Sequence, residues 1–439
     1  MDWQLTLIII LGALVVLMSI GLPVAFCFLA INVVGAFLFW KGELGLEQLV
    51  SNLITSVASF TMMPILLFVL MGEVMFISGV GPMMLDTLDK WLGRLPGRLS
   101  LLAVAAGTLF GALTGASMAS VAMLGSNLMP EMEKRGYKKP MTMGPILGSG
   151  GLAILIPPSS IAVLVGAIGE ISIGRILLAI ILPGLVLAGI FSIYIILRCT
   201  FNPSLAPSYQ VDPTPLSVKL IATVKYVLPI GIILFLVVGI IFVGLATPEE
   251  AAASGTLGSF LLAAAYRRLT WEVLKKTFHN TLKISVMILM IICGAAVFSQ
   301  IMSFSGASRG LTELAISLPL SPIMIIITMQ LVGLFLGCFI SVIAIMMICL
   351  PIFMPIITAF NFDPVWFAVL FVINMEVAQI TPPYGMSLFV MKGIAPDGTT
   401  TQDIWRASVP FILLDVVLMV LIMIFPDIAL WLPNMKLKP

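Results

Sequence analysis

Charged residues are scarce in this chain. Only 10% of its 439 residues are Asp, Glu, Lys or Arg, whereas 60% are hydrophobic. A soluble domain carries roughly a quarter charged residues, so this composition excludes an ordinary soluble protein. The formal net charge is only +2, and we expect no nucleic-acid partner because no strongly basic surface is available.

Residues that bind metals or perform covalent chemistry are also few. His279 is the only histidine, and the five cysteines show no CxxC spacing. A zinc site or a disulfide framework is therefore not expected. An intramembrane enzyme would need a nucleophile with a base, paired carboxylates or a metal cluster. The lone histidine and the lack of an HExxH motif disfavour that class, and we predict that the chain is not an enzyme.

Long runs of apolar residues are abundant in the sequence. Runs of about 18 or more apolar residues recur from end to end, and each could span a bilayer. The chain begins Met1-Asp2-Trp3-Gln4, without the basic region of a signal peptide, so we expect the first membrane segment to start there. These features predict an all-α polytopic membrane protein embedded in the lipid bilayer.

Distinctive features of the first half recur in the second half at an offset of 225 residues. The matched positions are Pro23 with Pro248, Phe110 with Phe335, Met129-Pro130 with Met354-Pro355, and Pro157-Pro158 with Pro382-Pro383. Several coincidences in one register indicate an internal duplication. We therefore predict two structural repeats.

Each half has the same order of segments. Two apolar segments precede an amphipathic arm helix, at about 42–58 and 267–283, whose spacing is typical of a helix in the membrane interface. A crossing follows, then a hairpin, a crossing interrupted by Pro-Pro, and a final crossing. We predict scaffold parts at 1–98, 173–322 and 396–439, transport parts at 99–172 and 323–395, hairpins at 99–133 and 323–360, broken helices at 140–172 and 365–395, and a cytoplasmic linker at about 199–220.

The distribution of Lys and Arg predicts the orientation of the two hairpins. Lys90, Arg94 and Arg98 precede the first hairpin and four basic residues follow it, whereas no Lys or Arg occurs between Arg309 and Lys392. By the positive-inside rule the first hairpin has its ends in the cytoplasm and the second outside. Five crossings and a hairpin per half then predict inverted-topology repeats, although Lys436 and Lys438 would lie outside.

Two kinds of position could carry transport. The first hairpin turns at small and hydroxyl residues, among them Thr114, Ser117 and Ser120, which offer oxygen ligands but would also suit ordinary close helix packing. The Pro157-Pro158 and Pro382-Pro383 pairs each interrupt a crossing. Proline breaks release backbone carbonyls, which can coordinate a cation, although a kink without function is the alternative.

Intramembrane acids are the remaining candidates. Glu73, Glu376 and Asp415 lie in apolar segments, but none lies in the hairpin turn or at a Pro-Pro break. Ionisable residues inside a membrane are functional candidates by default, although a place near a helix end is the alternative for Glu73 and Glu376. A proton-coupled mechanism would need one of them, whereas a sodium site needs only neutral oxygens.

Several motifs resemble the large membrane subunit of tripartite ATP-independent periplasmic (TRAP) transporters, and the resemblance covers essentially the whole chain. They include Phe110 to Ser117, Ile156-Pro157-Pro158-Ser159, Leu182-Pro183-Gly184, Thr381 to Phe389 and Leu430-Trp431-Leu432-Pro433. Arg175 stands where lysine is common in the family, and Tyr384 and Met386 where smaller or aliphatic residues are common.

The resemblance implies a sodium-driven importer of a small organic acid, such as a C4-dicarboxylate or a sugar acid, that works by an elevator movement in the bacterial inner membrane. It implies Na+ as coupling ion, no organic cofactor, and two partners: a small membrane (Q-type) subunit and a periplasmic substrate-binding (P-type) protein. It also implies two sodium sites and a substrate site. Sodium site 1 would comprise Thr114, Gly115, Ser117, Ser120, Ala153, Ile156 and Pro158; sodium site 2 would comprise Gly337, Ser341, Ala378, Thr381 and Pro383; and the substrate would contact Ser117, Ser159, Ser160, Tyr384 and Gly385.

Other transport mechanisms remain open at the level of sequence. A stand-alone sodium- or proton-coupled carboxylate symporter would share the inverted repeats and need no binding protein. A channel is disfavoured because the two halves suit alternating access. Neither the substrate, the number of sodium ions nor the oligomeric state follows from the sequence.

Overall fold

The structure of the protein is a computed structural model that describes residues 2–40, 42–93, 95–115, 117–207 and 214–435. For Thr61, Ala112, Leu113 and Thr114 it describes the backbone alone. Regular structure in these ranges is helical, without a β-strand. The prediction of an all-α fold is therefore confirmed.

The first half consists of eleven helices within the described ranges. They are α1 (Trp3–Ser19), α2 (Val24–Phe39), α3 (Glu43–Val57), α4 (Met63–Ile77), α5 (Val80–Trp91), α6 (Arg98–Thr114), α7 (Ser117–Lys134), α8 (Lys139–Leu155), α9 (Ser160–Ile168), α10 (Ile173–Ala179) and α11 (Ile181–Phe201).

Twelve helices follow in the described part of the second half, and π-helical turns join the first three of them. They are α12 (Leu216–Ala222), α13 (Leu228–Leu234), α14 (Ile240–Val243), α15 (Pro248–Ala265), α16 (Trp271–Phe304), α17 (Ala307–Ser317), α18 (Pro322–Gly337), α19 (Val342–Ala359), α20 (Pro364–Ile380), α21 (Met386–Ile394), α22 (Thr401–Ile424) and α23 (Asp427–Asn434).

The bounds of these helices repeat the sequence offset. Helix α19 begins and ends 225 residues after α7, and α20 begins and ends 225 residues after α8. Helices α8 and α20 end at equivalent places because Pro157 and Pro382 disfavour the helical conformation in the residue before them. Ile156 and Thr381 are accordingly both extended.

Two stretches differ in detail from the predicted segments. The second arm is not a separate helix, because α16 runs without a break for 34 residues from Trp271 to Phe304. In the first half, by contrast, a short 3-10 turn at Phe60–Met62 separates α3 from α4. The predicted linker at 199–220 also overlaps α12, which already begins at Leu216.

The last crossing of each half packs against α8. A Cβ built on Gly148 would lie 2.4 Å from the ring of Phe411 and 3.2 Å from the ring of Phe191. These two rings also meet edge to face, with 5.0 Å between their centroids. Because Gly148 has no side chain, α11 and α22 can approach α8 closely. We predicted both helices to belong to the scaffold, and both contact the first broken helix.

Helices that precede the hairpins in each half are joined by hydrogen bonds between the two halves. The side chain of Asn32 in α2 donates a hydrogen bond to the Gly294 carbonyl in α16 at 2.8 Å. Thr256 in α15 donates to the Leu67 carbonyl in α4, also at 2.8 Å. These hydrogen bonds join early helices of both halves.

Length and hydropathy agree with a membrane protein. Five helical segments in the described ranges are long and apolar enough to cross a membrane, and the number rises to seven if each of two bent pairs is one span. The bent pairs are α4 with α5, at 71°, and α8 with α9, at 47°. The second bend lies at the predicted Pro-Pro break.

Candidate cation and substrate site

The turn of the first hairpin packs directly on the first broken helix. Gly115 has a positive φ of 57°, and a Cβ built there would lie 2.7 Å from the Pro158 carbonyl oxygen and 3.4 Å from Ser160 Oγ. One turn earlier, a Cβ on Gly111 would lie 2.5 Å from Ala153 Cα. Glycine is thus needed at both positions for the close approach. The structure brings together the break and the turn that sodium site 1 requires.

The second hairpin makes the corresponding contact with the second broken helix. A Cβ built on Gly337 would lie 2.5 Å from the Ala378 side chain. Ser341 caps α19 by accepting a hydrogen bond from the Ala344 N–H, and Thr381 donates to the Val377 carbonyl at 2.6 Å. The second hairpin and the second broken helix are therefore in close contact at the predicted sodium site 2.

Each break leaves oxygens and helix ends within the bundle. Helix α8 ends at Leu155, and α9 starts after Ser159, whose side chain accepts a hydrogen bond from the Ala162 N–H at 3.2 Å. Ser159 is fully buried. Backbone N–H groups at the start of α9 favour an anion, while free carbonyls at the end of α8 favour a cation. One break can therefore present both polarities within a few residues.

The two halves meet at these breaks. Ser117 Oγ in α7 lies 3.4 Å from Ser387 Oγ in α21, and both side chains are buried. The two broken helices also meet one turn before their breaks. A Cβ built on Gly151 in α8 would lie only 1.5 Å from a carboxylate oxygen of Glu376 in α20. Gly151 and Glu376 are equivalent at the 225-residue offset. Helices α8 and α20 thus approach each other where one half has a carboxylate and the other has no side chain.

A cavity of about 250 Å³ opens beside the first hairpin turn. Gly115 and Ser117 line it from the hairpin, Ser160 from α9 and Gln379 from α20. Glu73 and other residues of α4 and α16 form the facing wall. The cavity therefore lies between the scaffold and the helices that carry the two breaks.

The predicted substrate residues do not all reach this cavity. Ser117 and Ser160 line it, whereas Ser159 is a buried N-cap and Gly385 packs on the Gln379 carbonyl. Tyr384 is 57% exposed and stacks on Phe389, away from the described lining.

Other predicted sodium residues hold different positions. Ser120 is fully buried in α7, about one turn after Ser117 at the start of that helix. Ile156 is extended, and Pro158 and Pro383 each follow a cis peptide bond. The side chain of Thr114 lies outside the described part of the chain.

The three intramembrane acids fall into two groups. Glu376 and Asp415 are fully buried, and their carboxylate oxygens find no hydrogen-bond partner among the described residues. Glu73 instead lines the cavity, and one of its oxygens accepts a hydrogen bond from Asn280 Nδ2 at 3.0 Å. The sequence identified all three acids but did not distinguish their surroundings.

Sequence reasoning missed Gln379, Ser387 and Asn280. Gln379 and Ser387 flank the second break at positions where α20 and α21 are otherwise largely apolar, so isolated polar residues beside a break were the available signal. Asn280 gave no such signal, because polar residues are ordinary in an amphipathic arm.

Two broken crossings that contact hairpin turns, and a cavity beside them, are an arrangement that suits a membrane transporter. The chain matches the family described as "Tripartite ATP-independent periplasmic transporter, DctM component" over residues 11–428. It belongs to this family and is a TRAP transporter large permease subunit, an integral membrane protein. The resemblance inferred from its motifs is confirmed.

Curated relatives extend over nearly the whole chain. It is 31% identical over 446 residues to the C4-dicarboxylate TRAP transporter large permease protein DctM of Rhodobacter capsulatus, covering 98% of this chain and 99% of that protein. It is 27% identical to the ectoine TRAP transporter large permease protein TeaC of Halomonas elongata, covering 98% and 99%. It is also 27% identical to the sialic acid TRAP transporter large permease protein SiaM of Vibrio cholerae, covering 96% and 97%.

A solved structure shares the fold at low sequence identity. The YdaH transporter of Alcanivorax borkumensis, described as having an unusual topology, superimposes with a TM-score of 0.63 at 14% identity. The similarity covers 89% of this chain and 91% of that one. It supports the helical architecture and, at this identity, nothing about substrate.

Proposed function

We propose that this permease subunit is a sodium-coupled secondary importer of a small organic acid. The observation that carries the proposal is the paired contact of each hairpin with a proline-broken helix, at Gly115–Pro158 and Gly337–Ala378. Each contact places neutral oxygens where backbone is irregular, and such backbone at membrane depth is tolerated where it is buried or lines a cavity. In transporters, unwound carbonyls and helix ends coordinate sodium.

Neutral oxygens favour sodium over protons as the coupling ion. Ser117 and Ser120 are buried hydroxyl residues of α7, the helix that follows the Gly115–Pro158 contact, and Thr381 supplies another hydroxyl at the second break. Glu376 and Asp415 are enclosed between helices rather than placed on the cavity lining. On this basis we propose sodium sites 1 and 2, whose ions are transported together with the substrate.

The substrate carboxylate would lie at the starts of α7 and α9. Ser117 begins α7 and Ser160 begins α9, and both residues line the cavity. Helix N-termini attract anions through their free N–H groups and their dipoles. The relatives named above are transporters for a C4-dicarboxylate, ectoine and sialic acid, and each of these compounds carries a carboxylate.

An elevator movement is the proposed mechanism. Helices α6–α11 and α18–α22 would move together, because α11 and α22 pack on α8 in the same body as the hairpins. The second arm would resist displacement across the membrane, since Trp271 is 80% exposed and Leu282 63% exposed, as expected of side chains at a lipid interface. Binding of substrate and sodium would bias which position of the moving body is populated.

Two partners are proposed from the family. Its description names a tripartite periplasmic transporter, so this chain would act with a small membrane subunit and a periplasmic binding protein. Transport that this chain performs alone in liposomes, at the full rate, would instead support a stand-alone symporter.

The function is tested by uptake into liposomes that contain this chain and its membrane partner, with candidate binding proteins added. We expect uptake to require an inward sodium gradient, and Ser117→Ala to weaken the apparent sodium affinity because one ligand is lost, at a cost on the order of 1–3 kcal/mol. Ser126→Ala is the matched control on the same helix, because Ser126 is exposed and, among the described residues, its hydroxyl donates to the Ala122 carbonyl alone. Uptake driven equally well by a proton gradient alone would contradict sodium coupling.

A further inference from the structure

Glu73 gives the substrate cavity a charge that the proposed function does not use. It is the only Asp, Glu, Lys, Arg or His among the described lining residues. Helix α4 holds it on the scaffold wall, while Ser117 and Ser160 lie on the side of the moving body. In the proposed function, the cavity has an anion-binding end at the starts of α7 and α9; Glu73 is a separate acidic residue in its lining.

Asn280 holds this carboxylate in place. Its Nδ2 atom donates to Glu73 Oε2 at 3.0 Å across the contact between α4 and α16. No Lys, Arg or His in the described ranges forms an ion pair with Glu73, and Oε1 makes no hydrogen bond with another described residue. A negative charge beside the cavity is thus oriented by a neutral donor and lacks a cationic partner, although an intramembrane carboxylate is usually paired.

We propose that Glu73 is a specificity residue for a zwitterionic substrate, with a carboxylate at one end and a cationic group at the other. The inference rests on the proposed function, because it takes the carboxylate end to lie at Ser117 and Ser160. The cationic group then supplies the missing partner of Glu73 through a charge-assisted hydrogen bond.

The size of the cavity makes the choice between substrate classes sharp. In about 250 Å³, a four-carbon substrate anchored at one end must bring its other end close to the facing wall. A second carboxylate there would be repelled by Glu73 in surroundings less polarisable than water, whereas an ammonium group would be attracted. Dicarboxylates of the same length are therefore rejected. Specificity then has two sources: the attraction of the cationic group to Glu73 and the repulsion of a second carboxylate by it.

The test measures ligand-induced thermal stabilisation of the purified complex of this chain with its small membrane subunit, with and without sodium. The probes are 4-aminobutyrate against succinate, a pair of equal carbon number, and ectoine against malate. We expect the zwitterions to bind at least tenfold more tightly than the dicarboxylates in sodium. Glu73→Gln should reduce that ratio at least fivefold, and Glu73→Asp, which keeps the charge, should retain the preference.

Glu47→Gln is the matched control, because this exposed acid lies on the first arm, away from the cavity. Sodium-dependent binding that favours the dicarboxylates, or a preference that Glu73→Gln leaves unchanged, would overturn the zwitterion inference and leave sodium coupling intact. Binding that ignores sodium would count against the proposed function itself. If Glu73→Gln does not fold, loss of the preference in Asn280→Ala, in which the carboxylate is no longer oriented, supports the inference, and its retention opposes it.

Discussion

Gly115→Ala is the sharpest test of the first sodium site. Gly115 has a φ of 57°, and a Cβ at this position would lie 2.7 Å from the Pro158 carbonyl oxygen. The substitution therefore has two separable effects: strain in a left-handed conformation and displacement of an oxygen that we propose as a sodium ligand. The first effect acts on the whole fold, and the second acts on the site.

Each effect has its own magnitude. A left-handed conformation costs a residue with a Cβ roughly 1–2 kcal/mol, which lowers the stability of the fold. Overpacking of a tight contact costs about 1–3 kcal/mol. If displacement of the Pro158 carbonyl transmits that energy to ion binding, the apparent sodium affinity falls about 5- to 150-fold, at 1.4 kcal/mol for each factor of ten.

The assay is the sodium dependence of uptake by the complete transporter in liposomes, together with sodium-induced thermal stabilisation. Gly136→Ala is the matched control, since Gly136 also has a positive φ, of 75°. A Cβ built on Gly136 would have Pro207 Cγ as its nearest described neighbour, at an ordinary contact distance of 3.7 Å. This control should lose stability and keep its sodium affinity. A sodium affinity of Gly115→Ala within twofold of the wild type would refute the assignment of the Pro158 carbonyl to the site.

Three further predictions address topology, movement and packing. Single cysteines at Lys138 and Asn361, in a background without native cysteines, should be labelled from the cytoplasmic and outer faces respectively; labelling of both from one face would exclude inverted repeats. Spin labels near Ser117 and Trp271 should change their separation by many ångströms between inward- and outward-biased conditions, whereas a change of one or two ångströms during transport would favour rocking around a fixed site. Gly151→Ala should reduce thermal stability by about 1–3 kcal/mol because of the clash with Glu376, and Glu376→Ala combined with it should recover much of that loss; an additive double variant would show that the two positions do not interact.

The sequence alone was sufficient for the class of protein and for its internal organisation. Apolar segments of spanning length, few charges and the absence of metal-binding patterns follow from composition and need no tertiary contact. The Pro157-Pro158 and Pro382-Pro383 pairs located both breaks, because proline restricts the backbone next to it whatever the surroundings. The 225-residue offset located equivalent helices, and α7, α8, α19 and α20 keep that register in the structure.

The partition of the bundle was harder to predict. Helices α11 and α22 look like ordinary continuous crossings in the sequence, and their place beside α8 depends on Gly144 and Gly148 admitting the Phe411 ring. Small residues permit close packing on several faces of a helix and do not specify the partner. The assignment of the last crossing of each half to the scaffold therefore stays a prediction, and the contact with α8 could not be read from the sequence.

The chemistry of the cavity was decided by tertiary structure. The sequence determined that Ser117 lies at a hairpin turn and that Glu73 lies in an apolar segment, since both facts depend on near neighbours in the chain. Only the fold placed Ser117 3.4 Å from Ser387 and Glu73 3.0 Å from Asn280. Those partners lie 270 and 207 residues away along the chain, and the periodicity of a helix gives the direction of a side chain but not the helix that it will meet.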